Sequence, residues 1–217
     1  MEDKILYKVE RIRITPQGRI FCIKSNKGTT FEMLVSEEQY LRFEIGEGDE
    51  IDDERFLSIR EEMLFDNARR TAFSILSCGE NNKKSLINKL QAKGYSYELC
   101  KNISIYMENR GYINERKQIG LLCEAYLRKK YGKLKIINEL VVKGYQREDV
   151  MEYVSKALKD VDFSANCAYI IENKYDPMPT FGDELKKMMG ALMRYGYTIM
   201  DIKRAIDIVK EKQEDEA

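Results

Sequence analysis

One pattern recurs three times along this chain and constrains its fold more than any other feature. The segments are Leu86-Ile87-x-x-Leu90-x-x-x-Gly94-Tyr95, Ile136-Ile137-x-x-Leu140-x-x-x-Gly144-Tyr145 and Met188-Met189-x-x-Leu192-x-x-x-Gly196-Tyr197. In each, apolar residues stand 8, 7 and 4 positions before a glycine, offsets that share one face of a helix. The glycine fits the left-handed position that stops a helix, and the tyrosine supplies the apolar contact typical of such a stop. A second helix is predicted after each glycine, with apolar positions at Leu99, Ile103 and Tyr106, at Val150, Val154 and Ala157, and at Ile202, Ile206 and Val209. A leading helix is marked by Ala72 and by Leu122, each 22 residues before its glycine, and in the third copy by Ala168 and Ile171. The third connection is longer and carries Pro177 and Pro179. The chain is therefore expected to be mainly α. Three-helix repeats are predicted over residues 52–114, 115–160 and 161–212, stacked into an elongated, curved array, with a disordered tail at 213–217.

The first 51 residues read differently. Val9, Ile12 and Ile14 suggest a strand, Pro16-Gln17-Gly18 a turn, Ile20 to Lys24 a second strand and Thr29 to Val35 a third. A small antiparallel β meander is expected. Ser36-Glu37-Glu38-Gln39 is a capping-box sequence that should start a short helix ending near Phe43 at the Gly46/Gly48 pair. The acidic run from Glu47 to Glu54 matches no EF-hand spacing and reads as a solvated linker and helix N-terminus.

Composition removes several classes of function. The 217 residues include no histidine, which excludes Ser-His-Asp and Cys-His catalysis and histidine-based metal sites. There is no GxxxxGK[ST] loop. Cys22, Cys78, Cys100, Cys123 and Cys167 are odd in number and lack CxxC spacing, which speaks against a disulfide framework or zinc knuckle. No catalytic residues, metal or cofactor are expected. No run of 18 apolar residues occurs, and the start Met-Glu-Asp-Lys has no apolar segment of signal-peptide type, so a monomeric cytoplasmic protein without a membrane contact is anticipated.

The zero net charge conceals a sorted distribution. Residues 1–65 carry 10 basic and 15 acidic side chains, residues 66–159 carry 19 and 10, and residues 160–217 carry 8 and 12. A basic centre between acidic ends suggests an acidic or polyanionic partner for the centre. Arg128, Lys129, Lys130, Lys133 and Lys135 place five cations in eight residues at a predicted interhelix turn. Lys83, Lys84, Lys89, Lys93 and Lys143 could extend that stripe. Such lysines also serve simply to solvate helix faces. Tyr95, Tyr145 and Tyr197 are explained by helix termination better than by base stacking.

With these segments in hand, the chain resembles the RecX family. The resemblance rests on Ser85-Leu86-Ile87-Asn88-Lys89-Leu90-Gln91-Ala92-Lys93-Gly94-Tyr95, on Gly111-Tyr112-Ile113-Asn114-Glu115-Arg116, and above all on the run from Arg128 through Gly132, Ile136, Glu139 and Leu140 to Tyr145. It spans residues 64–210, and the β meander resembles an extension found in some members. The chain departs from the family pattern at Lys117-Gln118-Ile119, where Phe-Ala is usual, at Ser85 in place of Glu, and at Ser77 to Asn82 in place of an arginine-rich turn. The resemblance implies a non-enzymatic regulator that lies in the groove of the RecA filament on DNA. It would restrain ATP hydrolysis and strand exchange and favour filament loss, in the setting of homologous recombination, DNA repair and the SOS response. Direct binding of single- or double-stranded DNA by a helical-repeat module, without a recombinase, is the competing reading. A carboxylate-based enzyme is a third, for which no constellation of acids is evident.

Overall fold

The structure is a computed structural model, and it describes residues 5–175 and 177–215. The chain runs β1 (Leu6–Thr15), β2 (Gly18–Ser25), β3 (Thr30–Val35), α1 (Glu37–Phe43), β4 (Glu50–Asp52), α2 (Asp53–Ser77), α3 (Lys83–Gln91), α4 (Tyr97–Asn109), α5 (Glu115–Arg128), α6 (Lys133–Lys143), α7 (Arg147–Ala157), α8 (Phe163–Lys174), α9 (Gly182–Arg194) and α10 (Ile199–Asp215). It is mainly helical, with a small N-terminal antiparallel sheet and helices falling in threes around the stop glycines. Two compact units form: one from residues up to Cys78 with Lys89–Ile103, the other from Gly79–Asn88 with residues from Ser104 onward.

In the first unit the sheet order is β3-β2-β1-β4. Two residues join β1 to β2, whose register closes at Thr15↔Gly18. Gly18 is obligatory: its φ is +138°, and a Cβ would lie 2.3 Å from the Val35 carbonyl oxygen. The fourth strand corrects half of the expectation for residues 47–54: a helix N-terminus forms at Asp53, but the stretch expected as a linker holds a strand. Leu6, Tyr7 and Lys8 pair with Asp52, Ile51 and Glu50. A three-residue strand turns one apolar side chain inward, here Ile51, so no alternation could be read. The β1–β2 register shifts between Val9 and Arg11, which brings Ile12 to the side of Val9 and against this core, whereas Ile14, near the end of the strand, is 75% exposed. Tyr7 stacks on Phe56 of α2 at 3.9 Å, and Phe21, Ile23, Val35, Phe43, Ile59 and Met63 complete this core.

The capping box forms as read: Ser36 Oγ accepts from the Gln39 N–H at 3.2 Å, and Gln39 Oε1 accepts from the Ser36 N–H at 3.0 Å. Helix α1 stops earlier than the glycine pair, at Glu44 in the left-handed region. The acidic run is used locally. Asp52 Oδ1 caps α2 through the Arg55 N–H, Asp53 accepts from the Tyr7 hydroxyl, and Asp49 accepts from the Gly46 N–H.

The stop glycines behave as the pattern demands. Gly94, Gly144 and Gly196 have φ of 92°, 103° and 92°. The N–H of each following tyrosine donates to the leucine carbonyl five residues back: Tyr95 to Leu90, Tyr145 to Leu140 and Tyr197 to Leu192. In the second unit, α5 to α10 close one core that includes Ile119, Ile136, Leu140, Val150, Val154, Ile171, Leu192, Tyr197 and Ile202. Helix α10 extends through residues 213–215, which the sequence reading assigned to a disordered tail; residues 216–217 lie outside the described residues.

Candidate partner-binding surface

Helix α5 ends at Arg128, and α6 begins one residue after Gly132. The first four N–H groups of a helix have no partner within it. Here the end of α9 supplies two partners around the start of α6. The Gly132 N–H donates to the Tyr195 carbonyl at 2.8 Å, and the Leu134 N–H to the Gly196 carbonyl at 3.1 Å. The approach is so close that a Cβ on Gly132 would sit 2.3 Å from the Gly196 carbonyl carbon, and one on Gly196 would sit 2.3 Å from the Lys135 nitrogen. The Tyr197 hydroxyl donates to the Lys130 carbonyl, tying the same turn a third time. Burial raises the pKa of that tyrosine, with the thiol of Cys167 and the carboxylate of Asp201 adding to it, so it stays a donor.

This lock fixes a group of tyrosines and lysines. Tyr126 and Tyr131 stack at 5.7 Å, and Tyr131 meets Tyr195 edge to face at 5.8 Å. Lys135 Nζ lies 4.3 Å from the centre of the Tyr131 ring and 5.2 Å from that of Tyr195. Lys174 Nζ lies 4.9 Å from the Tyr195 ring centre and donates to its hydroxyl at 3.2 Å. Lys129 Nζ approaches Tyr126, and Lys130 Nζ sits 5.1 Å above Tyr169 while donating to Asn166 Oδ1 at 2.7 Å. Ring faces attract ammonium groups, so the tyrosines hold the cations in place while leaving their charge uncancelled. Arg128, Lys129, Lys130, Lys133, Lys135 and Lys174 make no ion pair with a carboxylate among the described residues.

The sequence-predicted extension divides. Lys84 and Lys143 lie at a second place, where α3 begins and α6 ends; the Lys84 stem covers Gly144, and the Lys143 carbonyl accepts from Asn82 Nδ2 at 2.9 Å. Lys83 is engaged within the fold, its Nζ 2.8 Å from Glu108 and 3.6 Å from Glu115. Burial disfavours its charge, but the Glu108 hydrogen bond and the fields of Glu115 and Asp149 outweigh that and raise its pKa. Lys89 and Lys93, both exposed, belong to the other compact unit. Lys174, Tyr131, Tyr169 and Tyr195 were missed by the sequence reading. A signal existed: Tyr131 stands thirteen residues, and Lys135 nine, before Gly144, the places of Asn81 and Ser85 before Gly94.

A cleft of about 390 Å³ is lined by Glu108, Glu115, Asp149 and Glu152 with Lys83 and Arg116. Three of its acids are paired with lysines. Lys83 bridges Glu108 and Glu115, and the hydrogen bond from Lys156 lowers the pKa of Glu152 below the ordinary carboxylate value. Among the described residues no cluster of three or more metal-ligating side chains occurs, and no helix is long and apolar enough to cross a membrane.

These features first define a class, a protein of tandem three-helix repeats with a β module and a cationic, tyrosine-backed turn. No family model matches the chain. Curated relatives are more informative. A "Regulatory protein RecX" of Clostridioides difficile is 24% identical over 147 residues, 67% of this chain and 68% of the relative. One of Caldanaerobacter subterraneus is 22% identical over 194 residues, 86% and 96% of the two chains. One of Escherichia coli is 26% identical over 149 residues, 68% and 83% of the two. A crystal structure of regulatory protein RecX superposes with a TM-score of 0.65 over 94% of this chain and 99% of the other, at 16% identity. Another, of RecX from Lactobacillus salivarius, gives 0.56 over 68% and 97%, at 15% identity. The chain is thus similar in sequence to proteins named regulatory protein RecX and shares the fold of the two solved ones.

Proposed function

We propose that this protein is a non-catalytic regulator that binds the RecA recombinase filament on DNA and restrains its ATPase and strand-exchange activities. The observation that carries the reading is the lysine group at the α5–α6 turn, held by tyrosine rings and without a carboxylate partner among the described residues. Similarity to relatives named regulatory proteins supports a regulatory role. Unpaired cations on a rigid frame raise the rate of encounter with an acidic filament, and they do so in a salt-dependent way.

The test is a recombinase ATPase assay on single-stranded DNA with this protein added. Inhibition is expected. Replacing Arg128, Lys129, Lys130, Lys133 and Lys135 together by Gln should weaken it by about tenfold or more, at unchanged helical content by circular dichroism. Full inhibition by that variant at moderate salt would overturn the site. Affinity for the filament should also exceed affinity for bare DNA at physiological salt; equal affinities would favour the direct nucleic-acid module instead.

A further inference from the structure

The repeats provide an internal control for the cationic turn. Twice in the second compact unit, the start of one repeat's middle helix meets the end of the next repeat's middle helix. At the first junction the start of α3 meets the end of α6, through Asn82 and the Lys143 carbonyl. At the second, the start of α6 meets the end of α9, through Gly132 and the Tyr195 carbonyl. Asn82 and Gly132 each stand twelve residues before their stop glycines, and Lys143 and Tyr195 each stand one before theirs. These are two copies of one contact.

The copies differ in what surrounds them. The first is a notch of about 370 Å³ in which Asn81, Asn82, Ser85 and Gln118 stand beside Leu121, Leu122 and Lys143. The Tyr145 hydroxyl donates to Gln118 Oε1 at 3.1 Å, and Gln118 Nε2 donates to the Asn81 carbonyl at 3.2 Å. At the second copy the place of Asn81 is taken by Tyr131, that of Ser85 by Lys135 and that of Lys143 by Tyr195. Joining two repeats therefore requires neither the aromatic rings nor the ammonium groups of the second junction.

One residue there is held at a conformational cost. At the end of α5, the Tyr131 N–H donates to the Tyr126 carbonyl and the Lys130 N–H to that of Leu127, the same termination used at Gly94, Gly111, Gly144 and Gly196. The left-handed position is a glycine in those four cases and Lys130, at φ 56°, in this one. A side chain kept where glycine is easier points to a use for that side chain.

From this contrast we infer that the second junction, Lys129, Lys130, Lys135 and Lys174 over Tyr126, Tyr131, Tyr169 and Tyr195, is a docking surface for an acidic protein segment that also carries apolar side chains. Two observations favour a protein over a nucleic-acid strand. Lys135 and Lys174 already lie over the rings of Tyr131 and Tyr195, which leaves those two rings little free face on which bases could stack. The cations are also flanked by exposed apolar groups, Leu134 at 55% and Tyr169 at 53%, which suit a mixed acidic and apolar sequence better than a phosphodiester chain. The inference rests on the filament-binding reading only in placing that segment on the protein part of the filament.

The test uses the full chain and two fluorescent probes, a short peptide of alternating Glu and Leu and an oligothymidylate. A Gln-for-Glu peptide serves as the neutral control. Lys135→Gln with Lys174→Gln should weaken the acidic peptide by about tenfold while changing oligothymidylate binding by less than about twofold. Lys135→Arg with Lys174→Arg, which keeps the charge, should bind the peptide within about threefold of the unaltered protein. Lys203→Gln with Lys210→Gln, an equal charge loss elsewhere on the unit, should leave peptide binding unchanged. Loss of oligothymidylate binding with the peptide unaffected would overturn the inference in favour of a nucleic-acid strand. Equal loss in the Lys203/Lys210 variant would reduce it to general charge attraction, and no peptide binding at all would end it. The ATPase assay is read separately: peptide binding through Lys135 and Lys174 without ATPase inhibition leaves this inference standing and removes the recombinase.

Discussion

Lys130 concentrates the tension between stability and use. Its left-handed backbone costs a non-glycine residue about 1 kcal/mol, while its Nζ gains the Asn166 hydrogen bond and the face of Tyr169. Lys130→Gly relieves the strain but adds unfolded-state freedom and loses both contacts. Those terms are of similar size, so its urea denaturation midpoint should correspond to a stability within about 1 kcal/mol of the parent. Lys130→Val gains nothing, since a β-branched side chain suits this backbone worst, and it should lose about 2 kcal/mol. Equal destabilisation by the two substitutions would mean that the side-chain contacts, and not the backbone, dominate at this position. The neighbouring tyrosines divide by the same reasoning. Tyr145 and Tyr197 are buried stop residues, and burial pushes the Tyr145 hydroxyl up to about 12, with Glu115 and Glu80 adding to the rise. Tyr131 and Tyr195 keep part of their surface outside, where lysines reach them.

Among the elements, α6 and α9 meet backbone to backbone, and glycine makes the approach possible at both partners. Gly132 has an ordinary helical-boundary φ of −71°, so a side chain there is opposed by contact alone. Gly132→Ala would drive a Cβ into the Gly196 backbone, part the helices and stretch two hydrogen bonds, at a cost of about 3 kcal/mol. Gly190→Ala, inside α9 with only the Arg194 guanidinium at 3.7 Å, should instead stabilise by about 1 kcal/mol. Thermal melts of the two variants moving in the same direction would contradict the lock. This contact also marks where reading the sequence stopped. The stop glycines were legible because a left-handed turn favours one residue type and the apolar offsets before it repeat. The interlock was not, because backbone groups pairing across repeats leave no side-chain signature. Strand β4 was too short to alternate, and Ile14 stands apolar yet exposed near the end of β1, beyond the reach of the core that Ile12 touches. The cluster from Arg128 to Lys135 was legible as charge, whereas its tyrosine backing and Lys174 needed the third repeat brought against the second.

For the molecule as a whole, the inference divides two tasks between the junctions, cohesion at the first and docking at the second. The first junction is closed by amides, and its role is cohesion. Asn82 caps α3 through the Ser85 N–H at 2.8 Å and also satisfies the Lys143 carbonyl. Asn82→Ala removes the cap and leaves that carbonyl without its partner, for a combined loss of about 2 kcal/mol. The second junction keeps the backbone version of the same contact, which needs no polar side chain, and so frees its side chains for lysine and tyrosine. The two should therefore respond oppositely. Asn82→Ala should lower the denaturation midpoint and leave peptide binding and ATPase inhibition at parental levels at temperatures where the protein is folded. Lys135→Gln with Lys174→Gln should leave the midpoint within about 0.5 kcal/mol of the parent, as surface substitutions do, while weakening binding. If Asn82→Ala impaired binding in the folded protein as strongly as the lysine pair, the two junctions would be one coupled surface, and the division of labour between the repeats would be wrong.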